Sequence, residues 1–377
     1  MTNKEAEIYI HIPFCVRKCA YCDFLSFASD EETRKQYVSA LAHETAAACG
    51  ELRGKRIRSV FIGGGTPSLL ETGQLAAVLE MLFRCAQIDQ KAEITLECNP
   101  GTTDRDKLSD LRSLGISRLS IGAQSFQDRM LKTIGRIHDS SEIRKCYDDA
   151  RRAGFDNINL DMIFSLPGQS LADWKEDLKT AASLGPEHLS AYSLILEEAT
   201  PLYENRASYD FPDEETDRAM FYATGEILER FGMHRYEISN YALPGKECIH
   251  NVGYWTGVEY LGLGLGAASL MNNKRFRNTS SLEDYLRDAE SPEKIRTVEE
   301  ELDLHGRMSE FLILGLRMTA GISAEEFRNR FGRDLTEEYE SPLEKYLSLG
   351  LLKKENDRIF LSEEGISVSN TIFADLL

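Results

Sequence analysis

The first two hundred residues alternate between short apolar runs rich in β-branched residues and longer amphipathic stretches with helical spacing. Most of the runs end in glycine or polar residues, and several amphipathic stretches end in glycine, a common stop after the last helical turn. The apolar runs occupy residues 7–14, 58–65, 93–100, 118–125, 157–165 and 188–196. This alternation predicts an α/β fold with six strand–helix units and a parallel sheet.

Six units without a break favour a partial (β/α)6 barrel. An open, doubly wound parallel sheet fits the same alternation, and the pattern alone leaves this alternative open.

The pattern changes after about residue 200. Residues 213–232 are typical of one helix, residues 233–242 of a strand, and a glycine-rich section continues to about 295. The remainder is mainly helical. A winged-helix-like unit is indicated at its end, where a helix is followed by GLL, a charged turn, RIFLSEEG and a second helix. We therefore predict three domains, at residues 1–210, 211–295 and 296–377, the last being a mainly α cap or interaction module.

Charge and hydropathy narrow the classes of function. The net charge of −18 argues against nucleic acid as the main partner, because nucleic-acid binding uses basic patches. The chain begins without a secretory-signal pattern, and its longest apolar run, 260–271, is shorter than the ~20 residues of a membrane span. We expect a cytoplasmic protein with at most peripheral membrane contact; the oligomeric state stays open.

Three of the eight cysteines, Cys15, Cys19 and Cys22, lie close together after the first predicted strand. Structural zinc sites use four ligands, commonly in two pairs, and no second pair follows here, although His11 is near. A [4Fe–4S] cube held by three thiolates keeps one iron open for a small chelating molecule, and Phe24 would shield it. Zinc stays the alternative. The other cysteines, at 49, 85, 98, 146 and 248, are expected to be small buried residues.

Polar groups and glycines follow the other predicted strands. The carboxyl ends of barrel strands form the functional face of such folds, so these groups are expected to meet. Glycines allow close approach of backbone to a ligand, and acids or amides can hold hydroxyls or an amine. Taken singly, either acid could instead cap a helix or pair with an arginine. The candidates are GGGTP at 63–67, Glu97, Asn99, Gln124, Asp161 and Tyr192.

The order CxxxCxxC, then GGGTP, resembles the radical S-adenosylmethionine (SAM) superfamily. The segments YIHIPFCVRKCAYCDF, ITLECNPGT, RLSIGAQSFQDRMLKTIGRIH, LDMIFSLPGQ and YEISNYALPGKECIHNVGYW resemble, in this order, the oxygen-independent coproporphyrinogen oxidase-like family. Within that family they are most similar to the HemW-type haem chaperones, and the resemblance covers nearly the whole chain.

The resemblance implies that Cys15, Cys19 and Cys22 ligate a [4Fe–4S] cluster and that SAM chelates the open iron. It places Tyr9 beside the cofactor and Gly64 and Thr66 at its methionine end. Further contacts with SAM are implied for Glu97, Gln124, Arg136 and Asp161.

Two departures separate the branches of the family. The decarboxylases carry a fourth cysteine where this chain has Phe24, and they have an N-terminal extension where only seven residues precede IYIHIPF. We therefore expect a haem chaperone that delivers haem to haem-accepting proteins. The alternative is an oxygen-independent coproporphyrinogen III oxidase, so the resemblance leaves enzymatic activity uncertain.

The segment CIHNVGYW fits the HNxxYW motif of the HemW-type branch, in which the histidine is implicated in haem binding. The resemblance thus implies His250 as a haem ligand, with Tyr254 and Trp255 flanking the macrocycle. The alternatives are a core histidine at a domain junction, or Cys248 as the ligand.

GLGLGA at 262–267 satisfies a nucleotide-loop pattern, but no crossover helix follows, so we predict a tight turn. A zinc-stabilised scaffold whose winged-helix-like module binds a partner stays open as a non-enzymatic function.

Overall fold

A computed structural model describes residues 4–377, and it confirms the predicted run of six parallel strands. The strands are β1 (Lys4–Ile12), β2 (Lys55–Gly64), β3 (Gln87–Cys98), β4 (Arg118–Gln124), β5 (Ile158–Phe164) and β6 (His188–Ser193). The helices between them are α1 (Glu31–Ala48), α2 (Thr72–Cys85), α3 (Arg105–Ser113), α4 (Asp128–Thr133), α5 (Ser140–Arg152) and α6 (Leu171–Ser183). Ile8, Ile10 and Ile12 are fully buried, and they anchor β1 in the main core.

The sheet is wider than the six predicted strands. Six more strands extend its two edges, so that β9 lies parallel to β1 and β8 lies antiparallel to β6. Within this region the elements are α7 (Pro201–Glu204), α8 (Glu214–Glu229), β7 (His234–Arg235), β8 (Asn240–Ala242), α9 (Ile249–Thr256), β9 (Glu259–Leu263), β10 (Ala268–Met271), β11 (Lys274–Asn278), α10 (Leu282–Asp288), α11 (Pro292–Ile295) and β12 (Arg296–Glu301).

Two local predictions in this region have different outcomes. The single strand predicted at 233–242 is wrong, because the chain turns after β7 and pairs back through β8. The Tyr236 amide donates to the Asn240 carbonyl at 3.1 Å and closes this hairpin. The predicted turn at 262–267 is confirmed: β9 and β10 are antiparallel, and Gly264 and Gly266 between them adopt positive φ.

The C-terminal residues form a second core beside a three-stranded sheet. Its elements are α12 (Leu304–Gly315), β13 (Ile322–Ser323), α13 (Ala324–Phe331), α14 (Leu335–Glu338), α15 (Glu340–Ser348), β14 (Leu352–Glu355), β15 (Arg358–Leu361), α16 (Glu363–Ser367) and α17 (Ser369–Ala374). This helical module agrees with the predicted mainly α end. The large sheet continues through β12, and the second core begins at Met308. The predicted boundaries at 210 and 295 stay predictions.

The isolated cysteines divide into two groups. Cys98, Cys146 and Cys248 are buried, as predicted. The prediction is wrong for Cys49 and Cys85, which are joined as a disulfide with their Cα atoms 4.8 Å apart. The reason is that α1 and α2 pack side by side, which brings the two C-terminal ends together.

Across residues 4–377, no helix combines the length and the apolar character that crossing a bilayer requires.

Candidate functional site at the carboxyl ends of the strands

The loop that carries the three clustered cysteines is held at its base and at its tip. At the base, the Cys15 amide donates to the Phe27 carbonyl at 3.0 Å, and the Phe27 amide donates to Pro13 at 2.9 Å. At the tip, the Ala20 amide donates to the Ile134 carbonyl at 3.1 Å. The two base bonds close the loop on itself, and the Ala20 bond ties its tip to the residue that follows α4.

A cavity of about 480 Å³ opens beneath this loop at the carboxyl ends of β1–β6. All three cysteines line it as free thiols, and Phe24 forms part of its rim with 68% of its surface exposed. The other predicted SAM contacts that line it are Gly64, Thr66, Glu97, Gln124, Arg136 and Asp161. The predicted convergence of the strand ends on one site is therefore what the fold produces.

A chain of hydrogen bonds links two of the thiols across the cavity. The Thr66 hydroxyl donates to Cys15 Sγ at 3.4 Å, and it accepts from Asn99 Nδ2 at 2.8 Å. Asn99 Oδ1 accepts from Arg136 Nη2 at 2.5 Å, and Arg136 Nη1 donates to Cys19 Sγ at 3.5 Å. Hydrogen bonds to the sulfur ligands tune the reduction potential of an iron–sulfur cluster. This series of hydrogen bonds therefore suits thiolates that ligate such a cluster.

Two half-buried acids, Glu97 and Asp161, line the cavity. Burial, and then the nearby Asp161, raise the pKa of Glu97 to about 8. Burial also raises the pKa of Asp161, although Ser120 and Asn159 donate to its carboxylate at 2.8 and 2.9 Å. Two carboxyl groups held this way offer acceptors to hydroxyl or ammonium groups of a ligand.

The cavity also presents polar atoms without partners. Gln124 Oε1 and Arg136 Nε are buried and make no hydrogen bond with the described part of the chain. Buried polar atoms are normally paired, so these two are free to meet a polar ligand. Gly64, elsewhere on the cavity wall, has a φ of 110°, and a Cβ there would stand 2.4 Å from His11 Cε1. Glycine is therefore required at this point of the wall.

Tyr9 is the predicted SAM contact that does not line the cavity. Its hydroxyl is 2.9 Å from His11 Nδ1, and His11 Nε2 is 2.9 Å from the Leu25 carbonyl oxygen. Both side chains therefore support the cysteine loop from below. Both ring nitrogens of His11 have hydrogen-bond partners, so His11 does not add a fourth metal ligand to the three cysteines.

The three thiols suit the ligand requirement of an iron–sulfur cube. Among residues 4–377, no three His, Cys, Asp or Glu side chains converge closely enough to hold one metal ion. A cube needs its thiolates spread over different irons, and three separated thiols around one cavity meet that requirement.

Several residues of the cavity wall are not among the SAM contacts that the sequence predicts. Ser120 lines the cavity together with Gly122 and Gln124, two and four positions further along β4. Ser120 and Gly122 are two positions apart and share one face of the strand, so periodicity could have identified both, whereas the strand is irregular between Gly122 and Gln124. Leu194, Ile195 and Glu197 lie after β6 in irregular chain, where no periodic pattern points to them.

The second predicted site, around His250 on α9, is closed. His250 is 1% exposed, Nδ1 lies 2.9 Å from Ser59 Oγ, and Nε2 lies 3.0 Å from the Tyr254 hydroxyl. Burial lowers its pKa to about 3, with Arg118 and Arg58 adding to the effect. The imidazole is neutral, and both nitrogens are engaged. This geometry is that of a core histidine, so haem ligation by His250 stays a prediction.

Of the other residues in this motif, Cys248 belongs to the interior and Trp255 is half-buried. Cys248 is fully buried, with Sγ 3.4 Å from Glu93 Oε1, and burial raises the pKa of its thiol. Trp255 lies under Arg317, whose guanidinium carbon is 4.4 Å from the ring centroid. The indole Nε1 is buried and has no acceptor within the described chain.

Comparison with known families agrees with this architecture. Residues 9–181 match the radical SAM superfamily model, and residues 302–368 match the HemN C-terminal domain model. The structure of coproporphyrinogen III oxidase (HemN) from Escherichia coli, a radical SAM enzyme, superposes with a TM-score of 0.87 at 22% identity, over 99% of this chain and 90% of that chain. At that identity the likeness shows the fold.

Sequence relatives are more specific. Heme chaperone HemW of Bacillus subtilis is 34% identical over 98% of both chains. HemW of Lactococcus lactis is 32% identical over all of this chain and 98% of its own, and HemW of Escherichia coli is 40% identical over 69% of each. Identity at this level over nearly full length shows that the chain belongs to the HemW family of radical SAM proteins.

Proposed function

We propose that the protein is a haem chaperone that binds a [4Fe–4S] cluster, SAM and haem and delivers haem to haem-accepting proteins. The supporting observation is its near full-length similarity to proteins named heme chaperones. The cavity beneath the cysteine loop adds support, since it combines three free thiols with unpartnered polar atoms.

In this proposal, Cys15, Cys19 and Cys22 hold the cluster, and a cluster with one iron free of thiolate gives SAM a coordination position. Arg136 positions Cys19 and Asn99, and the glycine backbone at Gly64 permits close approach of the ligand. Glu97, Gln124 and Asp161 supply the acceptors, and Thr66 orients Cys15. Tyr9 takes part indirectly, through His11 and the loop.

Haem ligation by His250 requires a change in the molecule. Either the bond to Ser59 or the bond to Tyr254 must open before a ring nitrogen can reach an iron. Tyr254→Phe removes one bond without removing the histidine. If His250 is the ligand, Tyr254→Phe keeps or strengthens haem binding, whereas His250→Ala loses the haem absorption shift.

The experiment is a haem titration of the anaerobically reconstituted protein, followed by mixing with an apo-haemoprotein. We expect a saturable Soret shift near one haem per chain and transfer faster than release of free haem. Absence of specific binding would contradict the chaperone function. Vinyl product from coproporphyrinogen III under anaerobic conditions would instead identify the decarboxylase.

A further inference from the structure

A second cavity, of about 460 Å³, lies away from the cysteine loop, where α9 and β9 face α12 and α13 of the C-terminal module. Its volume is within the ~300–1,000 Å³ typical of small-molecule sites. Most of its wall is apolar, with contributions from Trp255, Val258, Leu270, Phe311, Leu314 and Met318.

Two neighbouring arginines on this wall lack carboxylate partners. Arg307 and Arg330 both lie over the ring of Phe331, with guanidinium carbons 5.7 and 5.6 Å from its centroid. Within the described residues, neither has a carboxylate oxygen within 4.0 Å. Arg330 Nη1 also donates to the Thr256 carbonyl oxygen at 3.4 Å, which holds its guanidinium against the cavity wall. Guanidinium groups bind carboxylates strongly, often through two hydrogen bonds.

The acids on the same wall are mostly engaged elsewhere. Glu310 pairs with Arg275, and Glu5 pairs with Arg56. Glu259 pairs with Lys55. Glu326 lies one turn before Arg330 on α13 and reduces the positive field there without forming a close pair. Positive charge therefore remains available on the wall of a largely apolar space.

Trp255 adds a planar surface to the cavity. Arg317 covers one face of its indole, and the buried Nε1–H has no acceptor in the part of the chain that is described. An unsatisfied buried donor on a cavity wall is free to donate to a bound molecule. Phe311 supplies a second ring, so the space combines aromatic walls with cations at its edge.

We propose that this cavity seats a planar apolar ring system with carboxylate groups, as in haem, and that Arg307 and Arg330 bind the carboxylates. The identity of the ligand as haem rests on the proposed function. The ring lies among the apolar wall residues, and the C-terminal module contributes the cationic edge. The module is then part of the cargo site and does more than cap the sheet.

The test compares haem with haem dimethyl ester, in which the carboxylates are blocked. We expect the double variant Arg307→Gln/Arg330→Gln to bind haem at least ~10-fold more weakly, because hydrogen bonds to charged groups contribute ~1.5–3 kcal/mol. Its affinity for the ester should equal that of the wild-type protein. Glu326→Gln should bind haem more tightly. Arg333→Gln is the matched control, since Arg333 is exposed and pairs with Glu338.

A second variant tests the space itself. Leu314→Trp fills the cavity and should abolish binding of both haem and the ester, whereas Leu349→Trp, at an exposed position of the same module, should not. Circular dichroism and thermal unfolding establish that each variant is folded. Unchanged haem affinity in both the double arginine variant and Leu314→Trp would overturn this site while leaving the chaperone function intact. Failure of the wild-type protein to bind haem would overturn both.

Discussion

Two regions contain side chains that can bind metals: the cavity beneath the cysteine loop and the closed surroundings of His250, called here the His250 pocket. In the first region the side chains face an open cavity, and in the second they are buried and hydrogen-bonded. Around the cysteine loop, three thiols face an open cavity, and Gln124 and Arg136 keep buried polar atoms without partners. Around His250, both ring nitrogens have partners, and the side chain is 1% exposed. The type of a residue therefore does not by itself identify a ligand-binding site. A region is ready to bind a ligand when its donor and acceptor atoms have no partner within the protein.

The largest expected effect comes from removing a cluster ligand. Alanine at Cys15, Cys19 or Cys22 should reduce iron and acid-labile sulfide to background after anaerobic reconstitution, because three thiolates are the least this site can use. The control is the double variant Cys49→Ala/Cys85→Ala, which removes the disulfide and should retain the wild-type iron content. Full iron content in a cysteine-loop variant would contradict the assignment.

The next effect tests the packing around His250, whose Nδ1 lies 3.6 Å from Glu7 Oε2. A Cβ at Gly253 would stand 2.0 Å from Glu7 Oε1, which is buried and has little room to move. Gly253→Ala should lower the free energy of unfolding by ~1–3 kcal/mol, the typical cost of overpacking. Urea unfolding measures this.

Gly73→Ala is the matched control, since Gly73 lies in α2 with nothing within 4 Å of an added Cβ. Alanine there should leave stability equal or raise it by up to ~1 kcal/mol. Equal stability of the Gly253 variant and the wild-type protein would mean that the pocket is looser than described.

A pH-dependent effect sharpens the comparison. Burial raises the pKa of Glu7 from 4.5 to about 8, so between these values the folded state binds more protons than the unfolded state. The contribution of Glu7 to stability is therefore present at low pH and lost as the pH rises towards 8. Glu7→Gln should be more stable than the wild-type protein near pH 8 and lose this advantage near pH 5.

Urea unfolding at the two pH values measures the difference, with Glu5→Gln on the same strand as control. An advantage of Glu7→Gln that does not change with pH would contradict the assigned ionisation.

The smallest expected effect concerns a single polar contact in the open cavity. Gln124→Ala removes an unpartnered acceptor, and one hydrogen bond contributes ~0.5–1.5 kcal/mol, so SAM affinity should fall by up to ~10-fold. Equilibrium dialysis against the reconstituted protein measures this, with Gln127→Ala as control. Equal affinity in the two variants would exclude Gln124 from the contact.

Periodic features were predictable from the sequence. The six parallel strands follow from alternating apolar runs, and their carboxyl ends bring Glu97, Gln124 and Asp161 to one cavity, as predicted. This works because the geometry of a parallel sheet fixes where the strand ends lie.

The features that the sequence did not yield depend on long-range packing. The disulfide needs the relative position of two helix ends, and the hairpin at 233–242 needs its partner, β6. The closed state of His250 depends on Ser59, 191 positions away. No local pattern encodes such contacts, so a motif can identify a residue without showing whether its atoms are free.

Electron paramagnetic resonance of the reduced, anaerobically reconstituted protein, recorded with and without SAM, tests the central claim most directly. A [4Fe–4S] signal that changes on addition of SAM, and is absent from Cys19→Ala, is the predicted result. Zinc in place of iron, or a cluster signal that SAM leaves unchanged, would contradict an open iron at the cysteine-loop cavity.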